Sequence, residues 1–418
     1  MDNVTHSVVG LLVAEAALVL RESRATAVPP LRATDSDGLR AWALFASVLA
    51  NNAPDVDSAY ASFLAKPLGS LLHHRGHTHT LVFVPFLAAL VVGVTLAVAR
   101  ARGTRIAPRD ATWLFSLALV GVGVHIGLDA TNNYGVHPFW PFHDGWFYGD
   151  SVFIVEPLLW VAAIPALVFL AGSRWLKIAL VTIVLFGIGL SWLREFVPRS
   201  MAVLVTSVAC LTALASRRAT ARGRVLVSAG ATGAVLFLFA YSSSLARAAV
   251  TRSSAASFPR AVTHDTVLTP MPADPLCWQT ILVQTEDSRY VARTGVVAIV
   301  PSFMTSSECP FDTWAKPTAP SEAVPAVTTP SVRWIRQFSA PRGELRTLAE
   351  RSCVFAALLR FARVPFWTKD DALGRIAGDL RYDRSSGLDF SDTVLDGVGC
   401  PDHVPPWTPP RRTLLEAR

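Results

Sequence analysis

The chain reads as an α-helical polytopic membrane protein of about eight transmembrane helices that ends in an extracytoplasmic α+β domain. Three observations predict this. Of its 418 residues 51% are hydrophobic and only 17% charged, with positive mean hydropathy, a balance suited to lipid rather than water. Several uninterrupted apolar windows, such as LVFVPFLAALVVGVTLAVA (81–99), reach the roughly 20 residues needed to cross a hydrocarbon core of about 30 Å. After about residue 250 the apolar runs shorten, and proline, serine and charge rise.

In chain order the candidate spans lie near 4–20, 39–50, 80–99, 111–128, 152–172, 176–193, 200–215 and 225–243. The first lacks the basic n-region and small-residue cleavage site of a signal peptide and reads as a retained helix. The second is too short to cross unaided, so it is tilted, extended by its polar flanks, or re-entrant. These spans make a membrane domain over 1–248, with residues 249–418 as a soluble domain. There, CWQTILVQTEDSRYVARTGVVAIVPS (277–302) places two β-rich runs around a polar EDS turn, the pattern of a hairpin. GELRTLAERSCVFAALLRFAR (343–363) sets Leu345, Leu348, Cys353, Ala356 and Leu359 at helical spacing. The proline-, alanine-, serine- and threonine-rich stretch 316–331 reads as a loop within one folding unit.

Basic residues orient the spans. The loops near 21–40, 100–109, 173–177 and 217–224 hold four, four, two and four Lys or Arg, whereas those near 51–79, 129–151 and 194–199 hold two, none and two. Positively charged loops stay cytoplasmic, so the second set, both termini and the C-terminal domain are expected outside, in a multi-pass inner-membrane protein. Four of the five cysteines (Cys277, Cys309, Cys353, Cys400) fall in that domain, and Cys210 in a span. An exported domain permits two disulfides; unpaired buried thiols are the alternative, and paired CxxC zinc spacing is absent.

Four polar clusters fall on the same side. DNVTH brings Asp2 and His6 to the mouth of the first helix, and NNAPDVD brings Asp55 and Asp57 to the end of the second. HHRGHTH brings His73, His74, His77 and His79 to the start of the third, and HIGLD brings His125 and Asp129 to the end of the fourth. Imidazole and carboxylate are ligands for zinc, manganese or iron. His125 and Asp129, four apart on a helix, project from one face. Singly, each cluster has a plainer reading: Asp2 as a helix cap, His6 as an interfacial histidine, HHRGHTH as a solvated basic turn, His125 with Asp129 as a structural pair. Ionisable groups are costly at a membrane boundary unless paired or hydrated, so their convergence points to a polar pocket with a divalent metal, zinc first, manganese or iron as alternatives. The aromatics of WPFHDGWFYGD (140–150) read as an interfacial belt or as the wall of a lipid-binding mouth, and Glu15 as a buried structural group or part of a proton path.

The stretches DNVTHSVVGLLVAEA, NNAPDVD, HHRGHTHT, HIGLDATNNYGVHPFWPF and YGDSVFIVEPLLW resemble the successive signatures of the YdjM-like family of inner-membrane-associated metal-dependent hydrolases, also described as LexA-binding. The resemblance is dense over 1–160 and faint in the C-terminal domain at MPADPLCW and GDLRYD. It implies a polar centre of His6, Asp55, Asp57, His74, His79, His125 and Asp129, with Asp150 and Glu156 as further acidic matches. Glu156 replaces the aspartate common before proline, and Thr80 the serine that usually follows the TH pair. His73 and His77 are expected to be solvated neighbours of His74 and His79.

The expected chemistry is metal-dependent hydrolysis of an ester or phosphoester, such as a lipid-linked one, at the outer face of the membrane. Asp57 or Glu156 would act as base, and Arg75 would hold a phosphate or carboxylate, or else simply flank the helix. The expected partners are the bilayer and an amphiphilic or periplasmic small molecule. The net charge of +7 follows membrane topology and gives no ground for nucleic acid. Alternative classes are a membrane scaffold or regulator with a structural metal, and an ion-coupled carrier, although no inverted repeat is evident. HExxH, GxSxG and Walker motifs are absent.

Overall fold

A computed structural model describes residues 1–25, 36–64, 68–310, 317–326, 328–369, 374–385 and 387–416. Part of the basic loop near 21–40 and part of the stretch 316–331 lie outside these. The membrane domain contains α1 (Asn3–Ala25), α2 (Ser36–Ala50), α3 (Asp57–Leu64), α4 (Gly69–His73), α5 (Val84–Ala101), α6 (Pro108–Asp129), α7 (Pro157–Leu170), α8 (Arg174–Leu193), α9 (Arg199–Arg217) and α10 (Ala221–Ser257). Six of these are long and apolar enough to cross a membrane: α1, α5, α6, α8, α9 and α10. Each of the eight expected spans is met by an apolar helix, but those at Gly38–Ala50 and Pro157–Leu170 are short.

The fifth span begins later than its hydropathy suggests. Residues 151–156 are non-helical, and α7 starts at Pro157, with Glu156 Oε1 accepting from Leu158 N at 2.9 Å as its cap. The helix is buried on nearly every side, among α1, α8, α9 and α10, which explains why its sequence is apolar all round. At the other extreme, the 37 residues of α10 rise about 55 Å, some 25 Å more than a bilayer core. The surplus emerges as a strut and carries the C-terminal domain, so the helix runs past the expected boundary at 248 to Ser257.

That domain is α+β. Strands β1 (Val262–Met271), β2 (Asp274–Glu286), β3 (Arg289–Ala298), β4 (Glu322–Ala323) and β5 (Val332–Pro341) form an antiparallel sheet in the order β1-β2-β3-β5-β4. The expected hairpin is β2–β3, with Cys277 opposite Ala298 and Glu286 opposite Arg289 around Asp287 at φ 53°. The expected helix over 343–363 is two helices, α11 (Arg342–Arg351) and α12 (Cys353–Leu358). The break is at Ser352, which is extended and accepts from Phe355 N to cap the second. A small sheet of β6 (Pro365–Trp367), β7 (Ile376–Asp379) and β8 (Thr393–Val394) follows. Disulfides join Cys277 to Cys309 and Cys353 to Cys400, with Cys210 free.

The two domains share one core. Leu128, Val152 and Leu158 pack with Phe239, Trp278, Leu282 and Trp334. Ion pairs reinforce the junction: buried Asp150, at φ 48°, accepts from Arg363 at 2.6 and 2.8 Å and from Arg247 at 3.1 Å, while Arg363 also holds Asp265 at 2.6 Å.

Candidate metal centre

Four chain segments converge at the end of the bundle beneath the C-terminal domain. Asp2 caps α1, with Oδ1 accepting from Thr5 N at 2.9 Å, so the helix starts at Asn3 and places His6 one turn in. NNAP ends α2 and turns through Pro54, placing Asp55 before Asp57 opens α3. Arg75, at φ 59°, and Gly76 reverse the chain after α4 so that His79 points back into the bundle. A Cβ at Gly76 would lie 2.7 Å from His73 O, so this turn needs glycine. His125 and Asp129 lie on consecutive turns of α6. Gly121, one turn earlier, lets α6 close on α2: a Cβ there would meet Ala50 Cβ at 2.8 Å and Asn51 Nδ2 at 2.9 Å.

One atom from each of four residues faces a common point. His79 Nε2 lies 3.5 Å from Asp55 Oδ1 and 3.4 Å from Asp129 Oδ2; His125 Nε2 lies 3.6 and 3.5 Å from the same oxygens. The two Nε2 atoms are 3.1 Å apart. Atoms bonded at about 2.0–2.2 Å to one tetrahedral cation are about 3.3–3.6 Å from one another. The four imidazole–carboxylate separations fall in this range, and the two Nε2 atoms lie slightly closer. Asp129 Oδ2 is buried with no well-formed hydrogen bond, although Arg75 Nε lies 2.9 Å away.

Surrounding groups fix the orientation of these four. His125 Nδ1 meets the Asn51 carbonyl at 2.6 Å, and His79 Nδ1 meets Asp57 Oδ2 at 3.1 Å, so each ring keeps Nε2 toward the centre. Asp57 is an orienting carboxylate: Oδ2 also accepts from Arg75 N at 3.0 Å and Thr78 Oγ1 at 2.7 Å, and Oδ1 pairs with His74 Nδ1 at 2.9 Å. His6 stacks on His125 at 3.8 Å between ring centroids, and its Nε2 meets Asp129 Oδ1 at 3.2 Å. The Met1 amino group also bonds Asp129 Oδ1.

The electrostatics follow from this enclosure. Burial pushes the Asp55 and Asp57 carboxyls up, but hydrogen bonds from the surrounding imidazoles outweigh it and hold both well below the usual carboxylate range. Burial likewise acts to strip the proton from His79, yet its bonds to Asp129, Asp55 and Asp57 carry it up to about 10. The surrounding carboxylates thus favour positive charge at this point. A divalent cation would take the place of that proton.

The seven expected ligands thus separate. Asp55, His79, His125 and Asp129 could hold one cation; Asp55, Asp57 and His74 form a second group that could hold one; and His6 meets Asp129 beside the first. Arg75 is buried, and its guanidinium engages Asp129 at 2.9 and 3.0 Å and Asn132 Oδ1 at 2.9 Å. Glu156 stands apart as the α7 cap, its Oε2 accepting from Ala273 N at 3.2 Å in the β1–β2 turn, and burial pushes it up to about 8. Asp150 belongs to the ion pairs between domains. His73 is buried rather than solvated, its Nε2 donating to His403 O at 2.9 Å, whereas His77 is partly exposed, its ring packing 4.7 Å from Trp140 and 4.9 Å from Trp407. Glu15 pairs with Arg40.

Sequence reasoning missed Asn51 as the group that sets the His125 tautomer, Thr78 and Asn132 as anchors for Asp57 and Arg75, and Trp407, whose indole donates to Leu72 O at 3.0 Å. The first three sit inside the motifs already singled out; Trp407 has no local signal. A further carboxylate group, Asp383, Asp389 and Asp392, ties loops of the C-terminal domain, its oxygens accepting from Thr318, Ala319, Arg384 and Ser385 amides.

Residues 1–196 match the model of a family described as YdjM inner membrane protein, a range that includes all four converging segments. Neither the curated proteins nor the solved structures yield a match.

Proposed function

We propose that this chain is a membrane-embedded, metal-dependent hydrolase acting on an ester or phosphoester at the outer face of the cytoplasmic membrane. The observation that carries the reading is the set of four inward-facing atoms, Asp55 Oδ1, His79 Nε2, His125 Nε2 and Asp129 Oδ2, spaced as ligands of one cation. Two imidazoles with two carboxylates suit zinc, and also manganese or iron. A divalent ion bound there would supply Lewis acidity, lowering the pKa of water and polarising the ester.

The chain's own residues supply the rest. Asp55 is the least enclosed of the four, with 16% of its side chain exposed against none for the others, so substrate approaches on its side. His74, half-buried and held through Nδ1 by Asp57, keeps Nε2 as the nitrogen that takes a proton from water and returns it to the leaving group. Arg75 and His6 keep Asp129 ionised and aimed. The outer-face placement rests on the arginine and lysine bias of the loops, which puts the cluster and the C-terminal domain opposite the basic loops.

Closure by four protein groups also suits a purely structural metal, and on that reading the chain is a membrane scaffold. Metal analysis of the full-length protein, followed by assay of zinc- and manganese-loaded samples against phospholipid and phosphoester panels, separates the two. Metal-dependent turnover abolished by His125→Ala is the expected result. Full metal content without turnover would leave the scaffold, and a metal-free protein that cannot be loaded would remove both.

A further inference from the structure

One apolar surface continues beyond the helices. Val82, Phe86, Leu90 and Val94 recur every four residues and are all exposed, forming the lipid-facing stripe at α5. Leu81, just before the helix, is exposed too, and its N–H donates to Pro138 O at 2.9 Å. The loop held by that bond puts out Phe139 and Phe142, the latter 89% exposed. Isolated exposed phenylalanines are ordinary, but a run continuous with a membrane-spanning stripe is not.

Length places this surface. The 18 residues of α5 rise about 27 Å, less than the roughly 30 Å of hydrocarbon they must cross. At the far end Arg100, Arg102 and Arg105 fix the polar boundary, so the shortfall falls at the Leu81 end. We propose that Leu81, Val82, Phe139 and Phe142 form a lip sunk in the leaflet beside the metal centre, and that the substrate is a bilayer lipid whose chains stay in that leaflet while its headgroup reaches Asp55. The lip is rigidly joined to the site. Trp140, in the same loop, packs on His77, which opens the short turn that ends in the ligand His79. The lipid step rests on the hydrolase reading; the insertion of the lip does not.

A nitroxide at Phe142→Cys in the full-length Cys210→Ser background, reconstituted in phosphatidylcholine–phosphatidylglycerol vesicles, tests the insertion. Expected is preferential collision with oxygen, as at a Leu90→Cys reference; collision mainly with a water-soluble nickel chelate, as at Phe390→Cys on the C-terminal domain, would overturn it. For the lipid step, manganese-loaded protein should broaden the phosphatidylglycerol ³¹P resonance, and Phe139→Asp with Phe142→Asp should reduce that broadening at unchanged manganese content. Broadening that persists in this double variant would overturn the lipid route. Loss of manganese binding in the unmodified protein, with the lip still in the acyl region, would instead remove the metal reading and keep the insertion.

Discussion

The Nε2 atoms of His79 and His125 lie 3.1 Å apart while each ring's Nδ1 is committed elsewhere, His79 to Asp57 and His125 to the Asn51 carbonyl. Two imidazoles so held need a shared proton or a shared cation between them. The carboxylate oxygens of Asp55 and buried Asp129 on either side favour the cation. His125→Ala or Asp129→Asn is therefore expected to abolish stoichiometric metal in the purified protein, measured by elemental analysis. His77→Gln, whose ring packs among aromatics outside the shell, should leave the metal content unchanged.

Asp57 acts through its neighbours. Its Oδ2 accepts from three groups, including His79, so Asp57→Asn keeps the four ligating atoms but weakens the restraint on His79. Loss of such an orienting carboxylate lowers metal affinity about 10–100-fold. Competition with a chelator of known affinity should give that range, with full occupancy regained at excess metal. Affinity equal to that of the unsubstituted protein would show that Asp57 neither orients His79 nor binds the metal.

Much of the centre was legible because its ligands come from compact motifs at helix ends, where the alternation of spans alone brings His6, Asp55, His79, His125 and Asp129 to one side. The division of labour among them was not. Whether a carboxylate binds a cation or orients a ligand depends on distances of a few tenths of an ångström, as with Asp57 against Asp55. The fate of His73 and His77 depended on contacts with His403 and Trp407, more than 300 residues away. In the fold, hydropathy located the apolar helices but placed the start of α7 too early, because Val152 is buried and Val155 partly buried without being helical.

Arg75 and Asp129 form a buried ion pair, and breaking such a pair from one side costs about 3–5 kcal/mol because the remaining charge is stranded. Arg75→Ala should lower unfolding stability on this scale. Arg75→Lys should recover little of it, since an ammonium cannot reproduce the two-pronged contact with Asp129 and the reach to Asn132. Thermal unfolding in detergent, compared with and without added zinc, checks both. A lysine variant as stable as arginine would show that charge alone suffices.

Gly121 permits the close contact of α6 with α2 that brings His125 to the Asn51 carbonyl. A methyl group there would meet Ala50 Cβ at 2.8 Å, backed by helix on both sides, so Gly121→Ala must move α6 outward. The expected outcome is reduced metal affinity despite an intact ligand set, together with a loss of about 1–3 kcal/mol for overpacking. Gly127→Ala, on the same helix with no atom near its added carbon, should change neither and serves as the control.

Glu156 couples the end of α7 to the β1–β2 turn, and its acidity makes that junction pH-dependent. Burial raises its pKa from an ordinary 4.5 to about 8, so the folded state holds the proton more tightly than the unfolded chain. The stabilisation from this preference is full below the ordinary value, declines as pH rises above it, and is gone once pH has passed through about 8. Glu156→Gln removes the titration while retaining an amide oxygen for one of the two backbone donors. Its unfolding temperature is expected to lie below that of the unsubstituted protein at pH 6, where the protonated acid is favourable, and to fall less between pH 6 and 9. Equal slopes over that interval would mean that Glu156 is solvated in the folded protein and that the turn at Ala273 is not held by it.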